Sequence, residues 1–261
     1  MKEIMEVATK FPDLLKEIYG DLAKPGATQA GKAIGGIVGL GNTALLPVHL
    51  INERAKVYLE KNLNEYREQI ENTDEKEVIE VAPEVGVPIL EKLSYVSNEE
   101  LSQLYINLLA KASTKSTVNQ AHPGFVKIID SLSPDEGIFL KNIGNHQAIP
   151  FIEIRLNMDK KNEWIVLADL VLNSNILKNL SYPRNAPSYI SNLDALGIVK
   201  IRRDIWMTPV EHNYSPIWDQ NKAQYENMNV PDRSVGCQNC KIEVTAFGQQ
   251  FIRACFTVLG K

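Results

Sequence analysis

The sequence predicts an α+β protein, mainly α, with a helical N-terminal domain over residues 1–132 and an α/β domain over 133–261. Three observations carry this reading. Apolar residues recur at three- and four-residue spacings as far as Ile143. After Asn145, short runs rich in β-branched and aromatic side chains take over. Between Ala23 and Thr43 every fourth residue is small, as a tightly packed helix requires.

The first helix is expected over Phe11–Ala23, with Pro12 near its start and Leu14, Leu15, Ile18 and Leu22 on one face; Lys24-Pro25-Gly26 breaks it. A second helix then carries Ala23, Ala27, Gly31, Gly35, Gly39 and Thr43 as one ridge, a glycine zipper within the segment 27–51, until Pro47 interrupts it. No Lys, Arg, Asp or Glu occurs between Lys32 and Glu53, so the run Ala33–Ile51 is about long enough to cross a hydrocarbon core. Asn42, Thr43, Pro47 and His49 oppose full insertion. Each glycine costs a helix about 1 kcal/mol relative to Ala, so the ridge calls for a backbone pressed against it, in a membrane, in a second copy or in a soluble hairpin. The expected resting partners are Leu101, Leu104 and Leu108.

Beyond Pro47, Ile51, Ala55, Tyr58, Leu63, Tyr66 and Ile70 form an amphipathic helix, laced by the pairs Lys56/Glu60, Lys61/Glu65 and Arg67/Glu71. The acidic stretch Glu71–Glu80 ends it, and Pro83 and Pro88 bracket a connector into Ile89–Leu93. Ser97 and Glu100 read as a capping box ahead of Leu101, Leu104, Tyr105, Leu108 and Leu109. Pro123 opens a helix with Phe125, Ile128, Ile129 and Leu132 inward, and Ser133-Pro134-Asp135-Glu136 starts another.

In the second domain, Phe151–Leu156 and Trp164–Leu167 read as strands, and Pro187–Leu196 as a helix stopped by Gly197. Ile198–Met207 and Lys241–Thr245 read as strands on either side of a polar, irregular insertion at 209–236, and Phe247–Val258 as a closing helix. This order is like that of a winged helix, with the last two strands as the wing.

Composition bounds the function. Twenty-eight Lys and Arg against 32 Asp and Glu leave a charge of −4, which argues against sequence-blind wrapping of nucleic acid. Three cysteines and the absence of a secretory pattern at Met1–Lys10 point to a reducing cytoplasm, with membrane association as a further location. Lys200, Arg202 and Arg203 could contact phosphates, but Ser188–Asp194 carries no Lys or Arg, so nucleic acid is not the favoured partner. Gly26–Lys32 resembles a P-loop, yet Ala33 lacks the magnesium-binding hydroxyl and no strand precedes it. Cys237 and Cys240 form one CxxC without a second pair, so neither metal nor cofactor is expected. His49, His122, His146 and His212 are scattered and read as capping or surface residues; no catalytic residue can be assembled.

Several segments carry a family resemblance: Ile18–Gly26, the small-residue ridge through Leu45-Leu46-Pro47, Val85–Tyr95, Leu104–Ser113, Ala121–Phe125, Leu132–Glu136 and Thr245–Cys255. In this order they resemble the abortive infection alpha (Abi-alpha) family of bacterial proteins; 209–236 has no counterpart in the resemblance. The resemblance implies a role in defence against phage, and it brings no catalytic residues with it. The combined expectation is a non-enzymatic, homo-oligomeric defence protein with a helical effector regulated by the C-terminal domain, triggered by an unidentified phage component. The alternative is a soluble winged-helix protein that binds nucleic acid or regulates.

Overall fold

The computed structural model describes residues 29–40, 53–158, 163–228 and 230–259. The expected helix at 11–23, Pro47, His49 and the ridge residues Ala23, Ala27 and Thr43 lie outside the described residues. The chain divides into two compact units, one of residues up to Pro134 together with Phe251 onward, the other Asp135–Gln250.

The first unit is helical: α1 (Gln29–Leu40), α2 (Glu53–Ile70), α3 (Pro83–Leu93), α4 (Glu99–Ala112) and α5 (Gly124–Asp130). In α2, Ala55, Leu59, Leu63, Tyr66 and Ile70 are buried at spacings of three and four, so one stripe faces the core. The intrahelical pairs Lys61–Glu65 and Arg67–Glu71 form on its solvent side. The most enclosed helix is α4: Leu104 through Ala112 are all buried. Its N-cap is Asn98, whose Oδ1 accepts from Leu101 N at 3.1 Å, not the Ser97 that the capping-box pattern selects. Either residue can cap; the helix begins one residue later than that pattern implies.

Pro83–Leu93, expected to begin as a proline-bracketed connector, is one helix. Pro83 sits in its first turn, where a missing N–H is harmless. Pro88 lies inside α3 and deprives the Glu84 carbonyl of its helical donor, a loss that water can offset because Glu84 is exposed.

The small-residue ridge is not the face on which α1 packs. Ala30, Ala33, Ile34 and Ile37 are buried, Gly31 is half-buried, and Gly35 is exposed on the opposite side of the helix. A Cβ added to Gly35 would meet nothing within 4 Å. The close approach is made by a glycine of the other helix: at Gly86 in α3 a Cβ would lie 2.0 Å from Ile37 Cδ1. The Val81 N–H donates to the Ala33 carbonyl at 2.9 Å and completes the dock.

The second unit begins with α6 (Pro134–Ile143, counted from Asp135) and a four-stranded antiparallel sheet in the order β2-β1-β4-β3. Its strands are β1 (Ala148–Met158), β2 (Glu163–Val171), β3 (Val199–Arg202) and β4 (Arg233–Val244); α7 (Ala186–Ala195) precedes β3. Gly197 ends α7 with φ +73°, a conformation that costs glycine nothing. Pro150 is accommodated in β1 because pairing to β2 begins only at Ile152.

Three expectations are corrected here. The strand starting near Ile198 stops at Arg202, leaving Ile205 and Trp206 outside it and exposed. The stretch 209–236 contains regular elements: α8 (Val210–Asn221) buries Tyr214 and Ile217 against Ile152 and Ile154, and β4 begins at Arg233. Pro216 and the many polar side chains hid this helix, because only two of its residues enter the core. The supposed wing strands do pair, Val199 with Val244, but β1 occupies the other side of β4 along its length. They belong to a four-stranded sheet, and no distinct winged helix is present among the described residues.

The closing helix α9 (Ala246–Cys255) is N-capped by Thr245, whose Oγ1 accepts from Gly248 N at 2.8 Å. A Cβ on Gly248 would lie 2.0 Å from the Ile198 carbonyl oxygen, a backbone atom that cannot step aside.

These contacts order the glycines by tolerance. In chemical denaturation, Gly248→Ala should cost the most, more than about 3 kcal/mol, and Gly86→Ala about 1–3 kcal/mol through forced repacking of Ile37. Gly35→Ala should stabilise by about 0.5–1 kcal/mol.

Candidate functional site

Of the expected ridge, Gly31, Gly35 and Gly39 fall within α1, and the first two share an edge turned away from the buried face. Lys32, the lysine of the P-loop-like stretch, is an exposed helical residue whose Nζ lies 3.6 Å from Glu75 Oε1. Among the described residues, no helix is long and apolar enough to cross a membrane.

The three cations proposed to contact phosphates are brought near one another on and after β3, but the two arginines are engaged by carboxylates. Arg202 donates to Asp204 at 2.8 Å and to Glu243 at 3.1 Å. That pairing holds the Asp204 carboxyl down at about 2. Arg203 pairs with Asp169 and lies 3.6 Å from the buried Glu153, which Arg155 also engages. Lys200 is exposed and stands across the sheet from Glu243. A phosphate binding here would have to compete with acids already in place.

Cys237 and Cys240 lie within β4, not in a loop before it. Cys237 is exposed and Cys240 buried, as a three-residue separation along an alternating strand dictates. Burial pushes the Cys240 thiol up to about 11, which keeps it protonated. No group of three or more His, Cys, Asp or Glu is placed to hold a metal among the described residues. His122, His146 and His212 are exposed, and His122 Nδ1 accepts from Gly124 N at 3.0 Å at the start of α5.

Two polar centres escaped the sequence reading. In the first unit, α4 presents Gln103, Asn107 and Lys111 at four-residue spacing. Asn107 Nδ2 donates to the Cys255 carbonyl at 2.7 Å, and Lys111 Nζ lies 3.4 Å from the Val258 carbonyl. Because a carbonyl can only accept, the Asn107 amide has one permitted orientation. Its Oδ1 therefore faces Gln69 Nε2 at 2.9 Å and Gln103 Nε2 at 3.0 Å. This leaves Gln69 Oε1 buried without a hydrogen-bond partner. Burial lowers the Lys111 pKa. Beside this network lies an open cavity of about 650 Å³ whose lining includes Glu65, Glu68, Glu99 and Val258. Lys61 neutralises part of it through Glu99 at 2.8 Å and Glu65 at 3.9 Å.

In the second unit, Asp135 and Glu136, read as helix-start punctuation, are each 5 % exposed. Asp135 accepts from Ser181 N, Tyr182 N and Tyr189 Oη, each at 2.8 Å, and so fixes the approach to α7. Glu136 Oε1 accepts from Asn192 Nδ2 at 2.7 Å. Burial pushes the Asp135 carboxyl up, but these donors outweigh it and hold the group below its ordinary value. A Ser-Pro-Asp-Glu run carries a helix-start signal by itself; only the fold reveals that its acids also bind the segment before α7 and α7 itself.

A family model described as abortive infection alpha matches residues 58–255. No curated protein matches the chain. Among solved structures, an uncharacterized protein from the hydrocarbon-degrading marine bacterium Alcanivorax borkumensis SK2 aligns at 17% identity over 55% of this chain and 96% of its own. Its TM-score of 0.29 carries no argument.

Two stability measurements check the centres. A carboxyl with a lowered folded pKa stabilises above its unfolded value near 4 and loses that contribution as pH falls through the folded pKa. Asp135→Asn should therefore cost about 2–4 kcal/mol at pH 7, with the difference from the parent chain shrinking as pH falls below 4. Asn107→Ala should cost about 2–4 kcal/mol and expose the amides of residues 255–259 to hydrogen exchange, because it strands the Cys255 carbonyl and two glutamines together.

Proposed function

The chain belongs to the abortive infection alpha family, and from that membership we propose a non-catalytic protein of phage defence that acts by presenting the Gly31/Gly35 edge of α1 to a second helix. The family is one of non-catalytic effectors, and its role is in abortive infection. The observation that carries the finer reading is the open space at Gly35: α1 is docked by its Ala30, Ala33, Ile34 and Ile37 face, so a partner can meet it at Gly35 without undocking it. Small residues four apart allow two helix backbones to approach closely, in water or in lipid. The partner helix belongs to a second copy, and membrane contact follows from such an assembly. Under this reading the glycines are retained in spite of their helix cost because the partnered state uses them.

Since nothing lies within 4 Å of a Cβ at Gly35, Gly35→Leu separates folding from association. Cells carrying the parent gene and the variant should make equally soluble, equally stable protein, while the variant loses protection against phage in plating assays, by tenfold or more on the scale of about 1.4 kcal/mol of lost contact. Undiminished protection by Gly35→Leu would remove the edge from the mechanism and leave the family role alone.

A further inference from the structure

The two edges of the sheet are treated differently. Strand β3 is four residues long, and its Ile201 N–H is taken by Asp194 Oδ1 at 3.1 Å, so that edge is closed to further pairing. Strand β2 at the other edge runs for nine residues. Among the described residues no side chain hydrogen-bonds to the backbone of Glu163–Ala168; the first such contact is Asp169 Oδ1 on Leu170 N at 2.8 Å. Over the open stretch Trp164, Ile165 and Val166 are 52, 49 and 47 % exposed, so apolar side chains project from both faces of a strand paired on one edge only.

We propose that the β2 edge pairs with the β2 edge of a second copy, antiparallel and two-fold symmetric about Ile165. The strand is complementary to itself in that register. Trp164 of each copy stands opposite Val166 of the other, Ile165 meets its own mate, and Glu163 faces Leu167. Centring the pair on Val166 instead sets Glu163 opposite Asp169, two carboxylates on one rung; centring it on Trp164 carries Val166 beyond the partner's strand, which begins at Glu163. The surroundings add no net repulsion. Arg155, stacked on the Trp164 ring at 4.6 Å, is paired with Glu153, and Asp169 is paired with Arg203. The result is an eight-stranded sheet continuous across the two-fold axis, with β3 at both outer edges. This contact rests on the sheet alone and is independent of the α1 edge.

Sedimentation velocity of the full chain over a concentration series should show a monomer–dimer equilibrium. Ile165→Lys should weaken it about tenfold or more, and Gly35→Leu should leave it unchanged. In a Cys237→Ser background, which removes the exposed native thiol, Ile165→Cys should form a disulfide-linked dimer on mild oxidation. Glu163→Cys should not, because its mates are four residues apart along the strands, beyond disulfide reach. A chain that is monomeric throughout, a dimer indifferent to Ile165→Lys, or equal cross-linking from positions 163 and 165 would overturn the pairing.

Discussion

The first unit is built around one amide. Helix α4 is buried along most of its length, so each polar group on it must find a partner inside the protein. The Cys255 carbonyl at the end of α9 sets the direction of Asn107, and Asn107 sets the directions of Gln69 and Gln103 in turn. These bonds tie residues 148 positions apart and bring the last turn of the chain into the N-terminal unit. Lys111 one turn further on is paired with no carboxylate among the described residues; the Val258 carbonyl is its acceptor, and the negative end of the α9 dipole suits a cation there. An apolar α4 would pack equally well but would not specify where the chain returns.

How α1 docks follows from volume. Two helices approach closely wherever one of them lacks side chains, and the sequence has glycines on both candidates. The run Gly31, Gly35, Gly39 is conspicuous because it repeats; Gly86 stands alone between Val85 and Val87 and reads as an ordinary small residue. Yet it is Gly86 that receives Ile37, since Ile34 and Ile37 of α1 lie on its other face and burying them yields more than burying glycine. Periodicity therefore marked the glycine edge of the helix, whereas the face that docks within the chain is the opposite one.

Much of the rest was legible for a similar reason. The stripes of α2, α4 and α5, the turn at Gly197 and the strands at 151–156 and 164–167 are local patterns, and the elements form where those patterns lie. What escaped was set by distant partners. Helix α8 buries only Tyr214 and Ile217 in the core, with Trp218 packed partly against it, so its sequence lacks a stripe. Asp135 looks like a cap and is also a three-donor anchor. Arg202 and Arg203 look like a basic strip until Glu243, Asp169 and Glu153 arrive beside them from other strands and the adjacent Asp204 folds back onto Arg202.

That internal neutralisation bears on what the protein can recognise. A surface that wraps nucleic acid gains affinity by releasing counterions from phosphates, which requires cations without partners of their own. Here Arg155, Arg202 and Arg203 are already balanced, and a phosphate would have to displace a carboxylate to gain one of them. The described surface also offers two uncharged places: the open side of Gly35 on one helix and the flank of Trp164–Val166 on one strand. Neither supports the unit that carries it, since α1 is held by its opposite face and β2 by its pairing to β1. A contact added at either place would leave the existing packing in force, so the proposed assembly would be gained or lost at no cost to the fold.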